Sequence, residues 1–190
     1  ASPAIEPNDI EPRITPRSKA IVPSHLQGGV ADMDAILDIA RRHKLRVVED
    51  CAQCCGGRYQ GKHVGSIGDI GINSFQLSKT ITSGEGGVMT TNDPELFERA
   101  IRFHSVGSIL SPYREPLGDG LLEAFASCNF RMSEFTGAVL KGQLLKLETI
   151  CSGLRRNARK VREGIADLPG QKLRKSPDQE GDQGVTVFLD

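Results

Sequence analysis

The sequence predicts an α/β fold built on a mostly parallel sheet, and three observations carry that prediction. Short apolar runs alternate with an amphipathic helical stretch in strand–helix–strand order. The connections between them are short, as right-handed crossovers between parallel strands require. A carboxylate, Asp50, stands where one strand ends and a glycine-rich stretch begins, the place where such sheets collect ligands.

Taken in order, residues 1–18 hold prolines at positions 3, 7, 12 and 16 and read as irregular, with room for one short helical turn. Lys19 to Pro23 is a short apolar run closed by proline, a buried strand. Over residues 31–44, Met33, Ile36, Leu37 and Ala40 recur at helical spacing. Asp32 and Asp34 open that helix and Arg41, Arg42, His43 and Lys44 close it, as the helix dipole favours. Arg46-Val47-Val48 is the next strand and runs into Glu49-Asp50. Gly56, Gly57, Gly61, Gly65 and Gly68 predict loop-like backbone that approaches a ligand closely. Ile70 to Phe75 and Val88 to Thr91 are further strands, linked by the polar segment Gln76-Leu77-Ser78-Lys79-Thr80 and a Gly84–Gly87 bend.

Asn92-Asp93-Pro94 starts a second helix, with Asp93 as cap and proline at the first position. Leu96, Phe97, Ala100, Ile101 and His104 share one of its faces. Residues 105–128 read as a long loop of the kind that is usually functional. One long helix is expected after Ser133, with Phe135, Val139, Leu144, Leu147, Ile150 and Leu154 as its apolar stripe. Val185 to Leu189 ends the chain as a strand whose partners are expected to be missing.

Composition narrows the function classes. The 190 residues carry 24 Lys plus Arg against 24 Asp plus Glu, a formal net charge of zero. Overall charge therefore gives no footprint for nucleic acid or an anionic membrane surface. No apolar run approaches the roughly 20 residues of a bilayer span. Residues 1–13 lack the basic-then-apolar order of a signal peptide, and the chain begins without Met, so a processed or partial cytoplasmic protein is expected. Cys51, Cys54, Cys55, Cys128 and Cys151 form an odd, clustered set, poor as a disulfide framework. Cys51-x-x-Cys54 lacks a second ligand pair at zinc spacing, and reduced thiols are the better reading.

The candidate chemistry lies in Asp50 at a strand end, Ser74 late in a strand, Lys79 five residues later, and the glycine-rich bend after it. These residue types meet the demands of pyridoxal 5'-phosphate (PLP) chemistry. An amine forms an imine with the cofactor, a carboxylate keeps the pyridine nitrogen protonated, and hydroxyls hold the phosphate. By spacing alone, a solvated lysine beside a hairpin is the commoner occurrence. His25 and His104 read as satisfied, partly buried histidines and Glu85 as a turn residue.

Ordered motifs go further. Val48-Glu49-Asp50-Cys51-Ala52-Gln53, Gly65-Ser66-Ile67-Gly68-Asp69, Ser74 to Lys79 and Gly84-Glu85-Gly86-Gly87 together resemble the DegT/StrS family of fold-type-I PLP aminotransferases. The resemblance takes in Ser24-His25-Leu26-Gln27-Gly28 upstream and Asn129-Phe130-Arg131-Met132-Ser133-Glu134 downstream, and covers roughly residues 10–165. It implies a three-layer α/β/α large domain truncated at both ends, residues 1–165, with 166–190 beginning a small C-terminal domain. In relatives about a hundred residues precede the first strand and carry another phosphate loop and the ring-stacking residue.

Carried over by motif position, Lys79 is the Schiff-base lysine and Asp50 the partner of the pyridine nitrogen. Gln53 packs on the ring or hydrogen-bonds near its phenolic oxygen, and Ser74 binds phosphate. Asn129 matches an asparagine that reaches the neighbouring subunit's phosphate, which implies a homodimer with shared active sites. Cys55 stands where many relatives have histidine. The implied reaction transfers an amino group from glutamate or glutamine to a nucleotide-linked keto-sugar or keto-cyclitol. A catalytically inactive or regulatory protein of the same fold, serving as a binding or dimerisation module, is the alternative.

Overall fold

A computed structural model describes residues 5–109, 117, 123 and 125–189. Its elements are β1 (Ala20–Ile21), α1 (Met33–His43), β2 (Arg46–Asp50), β3 (Arg58–Tyr59), β4 (Lys62–His63), β5 (Ile70–Ser74), β6 (Gly87–Thr90), α2 (Pro94–His104), α3 (Glu134–Leu144), α4 (Leu147–Ile165), β7 (Gln171–Leu173) and β8 (Val187–Leu189). The main sheet runs β1-β2-β5-β6. β1, β2 and β5 are parallel, and β6 returns antiparallel to β5. The mostly parallel α/β architecture is thus as the sequence predicts.

Helix α1 forms where the caps place it. Asp32 accepts from the Ala35 N–H at 3.2 Å, and Lys44 ends the helix in the left-handed conformation, φ 53°. Its face of Met33, Ile36, Ile39 and Ala40 buries against Ile21, Val47 and Cys51 in the larger apolar core. Asp93 caps α2 by accepting from Glu95 and Leu96 N–H. A smaller core joins Cys55, Phe75 and Ile81 to Met132, Leu140, Leu147 and Ile150 from the loop before α3, from α3 and from α4.

Five expectations change. The long helix after Ser133 is two helices, α3 and α4, broken at Leu145 and Lys146. The apolar stripe is also not a single face: its step from Val139 to Leu144, within α3, is five residues, which turns Leu144 away from Val139. The α3 part of that stripe is not core, since Phe135 is 86% and Val139 55% exposed. The glycine-rich stretch contains a hairpin, β3–β4, turning through Gln60 (φ 48°) and Gly61 (φ 79°), the pair of positive φ values that a tight hairpin needs. β8 has a partner within the chain, pairing antiparallel with β7. Most of the 105–128 loop lies outside the described residues. Two Pro-containing single turns, Pro7–Asp9 and Glu11–Arg13, stand where one helical turn was expected.

Candidate active site

Alternation along β2 sends Glu49 and Asp50 to opposite faces of the sheet, and the two carboxylates do different work. Glu49 is fully buried. Its Oε1 accepts from the N–H groups of Ile67 and Gly68, both at 2.7 Å, and its Oε2 from Gly65 N–H at 2.9 Å. His25, also fully buried, completes the set at 3.2 Å from Oε2. Because His25 Nδ1 accepts from the Ala31 N–H at 3.1 Å, its Nε2 carries the proton donated to Glu49. Burial pushes the Glu49 carboxyl up, but the His25 hydrogen bond and the three backbone donors outweigh it and hold the group below the usual carboxylate range. This carboxylate ties the 65–68 loop and the 25–31 loop to the sheet.

Asp50 points the other way, onto the face that Ile72 and Ser74 share by register. Its Oδ1 accepts from Ala52 N–H at 3.0 Å and its Oδ2 from the Ser24 hydroxyl at 3.2 Å. One donor per oxygen leaves each with accepting capacity for a ligand N–H. Ser74 sits two residues beyond Ile72, its Oγ accepting from Gln76 N–H at 3.4 Å. Lys79 lies half-buried in the loop after β5, held through its backbone N–H to Gln76 O at 3.0 Å. Among the described residues, no acceptor holds its ammonium.

Gln53 is exposed, its Oε1 accepting from Gln27 N–H at 3.0 Å. Asn129 stands apart from this group. It forms an isolated antiparallel bridge with Ser105, and its exposed side chain accepts from Arg131 N–H and Nε–H. Thus Asp50 and Ser74 share one face of neighbouring strands, Gln53 and Lys79 follow in the loops after those strands, and Asn129 belongs to a different part of the surface. The donor set fits a cofactor that offers a ring N–H, an aldehyde and a phosphate.

The competing readings of the thiols and histidines resolve on burial. Cys51, Cys54, Cys55 and Cys151 are buried. Burial raises all four thiols, Cys54 to about 12 and Cys55 to about 11, which leaves them inert near neutrality. His25, Glu49 and Cys51 lie close enough to bracket a cation. Both His25 nitrogens and both Glu49 oxygens are already engaged, however, so the group is a hydrogen-bonded core rather than a metal centre. Cys55 faces the smaller core with Phe75 and Ile81. His104 bonds the neighbouring Ser105 hydroxyl at 2.7 Å, and Glu85 lies in the exposed bend between Gly84 and Gly86. Sequence reasoning missed Ser24, Gln27 and Glu49. The available signal for Glu49 was its parity with the buried Val47.

A model of the DegT/DnrJ/EryC1/StrS aminotransferase family matches residues 1–189. Over 176 residues the chain is 40% identical to the L-glutamine:2-deoxy-scyllo-inosose aminotransferase of Micromonospora echinospora, covering 91% of this chain and 42% of that protein. It is 38% identical over 161 residues to the GDP-perosamine synthase of Escherichia coli O157:H7, covering 85% of this chain and 42% of that one. The crystal structure of DesV from S. venezuelae superposes with a TM-score of 0.84 at 35% identity, covering 99% of this chain and 49% of the other. The chain therefore spans less than half the length of each.

Proposed function

Because the chain belongs to the DegT/DnrJ/EryC1/StrS aminotransferase family, we propose that it forms the cofactor-holding part of a PLP-dependent aminotransferase. The reaction moves an amino group from glutamate or glutamine to a keto-cyclitol or a nucleotide-linked keto-sugar. The observation that carries this reading is Asp50 and Ser74 on one sheet face with the uncommitted Lys79 amine in the loop that follows.

PLP, when bound, supplies an electron sink through its protonated ring. Lys79 would hold the cofactor through its amine, and the free amine would move a proton at the substrate carbon. Asp50, braced by Ser24 and Ala52, keeps the ring nitrogen protonated. Gln53 would face the phenolic edge and Ser74 would take the phosphate. The substrate classes follow the names of the relatives, which act on scyllo-inosose compounds or make GDP-perosamine.

Residues 1–165 make up the cofactor-binding domain and 166–190 begin a smaller C-terminal one. The protein works as a homodimer in which Asn129 reaches the partner's cofactor phosphate. The exposed Asn129 side chain and the exposed apolar face of α3, close by in sequence, support that reading. The buried, unpaired thiols suit a cytoplasmic location. No helix among the described residues is long and apolar enough to cross a membrane.

The test uses the full-length protein that carries this chain. Purified with PLP, it should show a visible absorption band that borohydride fixes onto Lys79. Lys79→Ala should lose both the band and the transfer of amino groups from glutamate or glutamine. Fixation on another lysine, or transfer that survives the substitution, overturns the assignment.

A further inference from the structure

The Gln53 side-chain amide has a fixed polarity. Its Oε1 accepts from the Gln27 backbone N–H at 3.0 Å, and a backbone nitrogen can only donate. The Nε2 end, with its two protons, is therefore the end turned to a ligand, and it is a donor. The Gln53 backbone is held from the same loop, its carbonyl accepting from Gly28 N–H at 3.0 Å.

Gln27 makes this contact from a left-handed conformation, φ 54° and ψ 36°. A non-glycine residue occupies that region at a cost and stays there only when its surroundings hold it. What holds it comes from the other end of the chain. Thr186 donates its hydroxyl to Gln27 Oε1 at 2.9 Å. Gln183 N–H donates to Gly28 O at 2.6 Å, and the Asp182 carboxylate accepts from Val30 N–H at 3.0 Å. The two segments touch so closely that a Cβ on Gly28, already at φ +75°, would stand 2.9 Å from Gly184 N. A Cβ on Gly29 would overlap the Arg174 guanidinium.

We propose that Gln27 and Thr186 are positioning residues for the contact between Gln53 and the cofactor's phenolic edge, a proposal that rests on the PLP reading above. Thr186 fixes the Gln27 side chain, the Gln27 backbone fixes the Gln53 amide, and the amide presents N–H to the phenolate oxygen. The C-terminal segment thereby sets the electronic surroundings of a cofactor that it need not touch.

The experiment is carried out on the full-length holoenzyme. Thr186→Val removes the hydroxyl at nearly constant volume. At fixed pH it should shift the visible band of the bound cofactor and speed cofactor release about threefold to tenfold, the size expected for one hydrogen bond. Thr186→Ser should restore both. Gln27→Gly keeps the backbone N–H and the left-handed turn and removes only the side chain, so it should reproduce the Thr186→Val change. The double variant should be no worse than either single one, since both break the same link.

An unchanged band and release rate in Thr186→Val, or a change that Thr186→Ser does not restore, overturns the link. Borohydride fixation on Lys79 in the unaltered protein separates the two levels. Fixation with a silent Thr186→Val removes the link alone, whereas a protein that takes up no cofactor removes the PLP reading and the link with it.

Discussion

Four donors converge on the two oxygens of Glu49, a side chain with no exposed surface, and this makes it the residue whose chemistry reaches furthest. Glu49→Gln would turn an amide N–H₂ toward backbone N–H groups and leave a buried donor facing a donor. The expected loss is about 3 kcal/mol or more, read as a lower denaturant midpoint. Its pH dependence has a definite sign. The folded carboxyl titrates below its ordinary value of 4.5, so the unfolded chain takes up the proton first on acidification. The stabilisation is complete above about that pH and is lost as pH falls through the folded value. Denaturation midpoints measured from neutrality downward should decline in that acid window, and the decline should be shallower in Glu49→Gln.

Helix α3 leaves apolar side chains in solvent, with Phe135 and Val139 exposed on one face and Leu144 and Leu145 exposed at its C-terminal end. Replacing Phe135 and Leu145 by serine should leave helix content by circular dichroism unchanged and move the protein toward monomer in sedimentation, because large exposed apolar patches mark association surfaces. Local signals made α1 and α2 legible in the sequence, since Asp32, Asp93 and Pro94 act within one turn of themselves. Strand ends located Asp50 and Ser74, whereas Lys79 stood out only through the ordered motifs that resemble the family. What escaped was set at long range. Glu49 and an exposed strand acid look alike until Gly65, Ile67 and Gly68 fold over it. β8 looks unpaired until β7 returns beside it, and the apolar residues of α3 look like core until the helix ends at Leu144 with Phe135 and Val139 left in solvent.

Over the whole chain, the C-terminal segment is fastened to the rest by a buried cluster of charge. Asp182 pairs with Arg174 at 3.0 Å and Arg162 at 2.9 Å while accepting from Val30 N–H. Asp182→Ala leaves two largely buried guanidinium groups and a buried N–H unpaired, so a loss of about 3–5 kcal/mol is expected in equilibrium unfolding. Amide hydrogen exchange should quicken at Val30 and Gly28 as well as along β7 and β8. That fastening also orders events in time. Val30 and Asp182 lie 152 positions apart, and so Gln27 and Gly28 gain these anchors only once residues 182–186 have been made. During synthesis, β1, α1, β2 and β5, with Asp50 and Lys79, are therefore complete well before the loop carrying Gln27 can be braced. The Gln27 loop is thus locked late, by a segment far along the chain from the strands it serves.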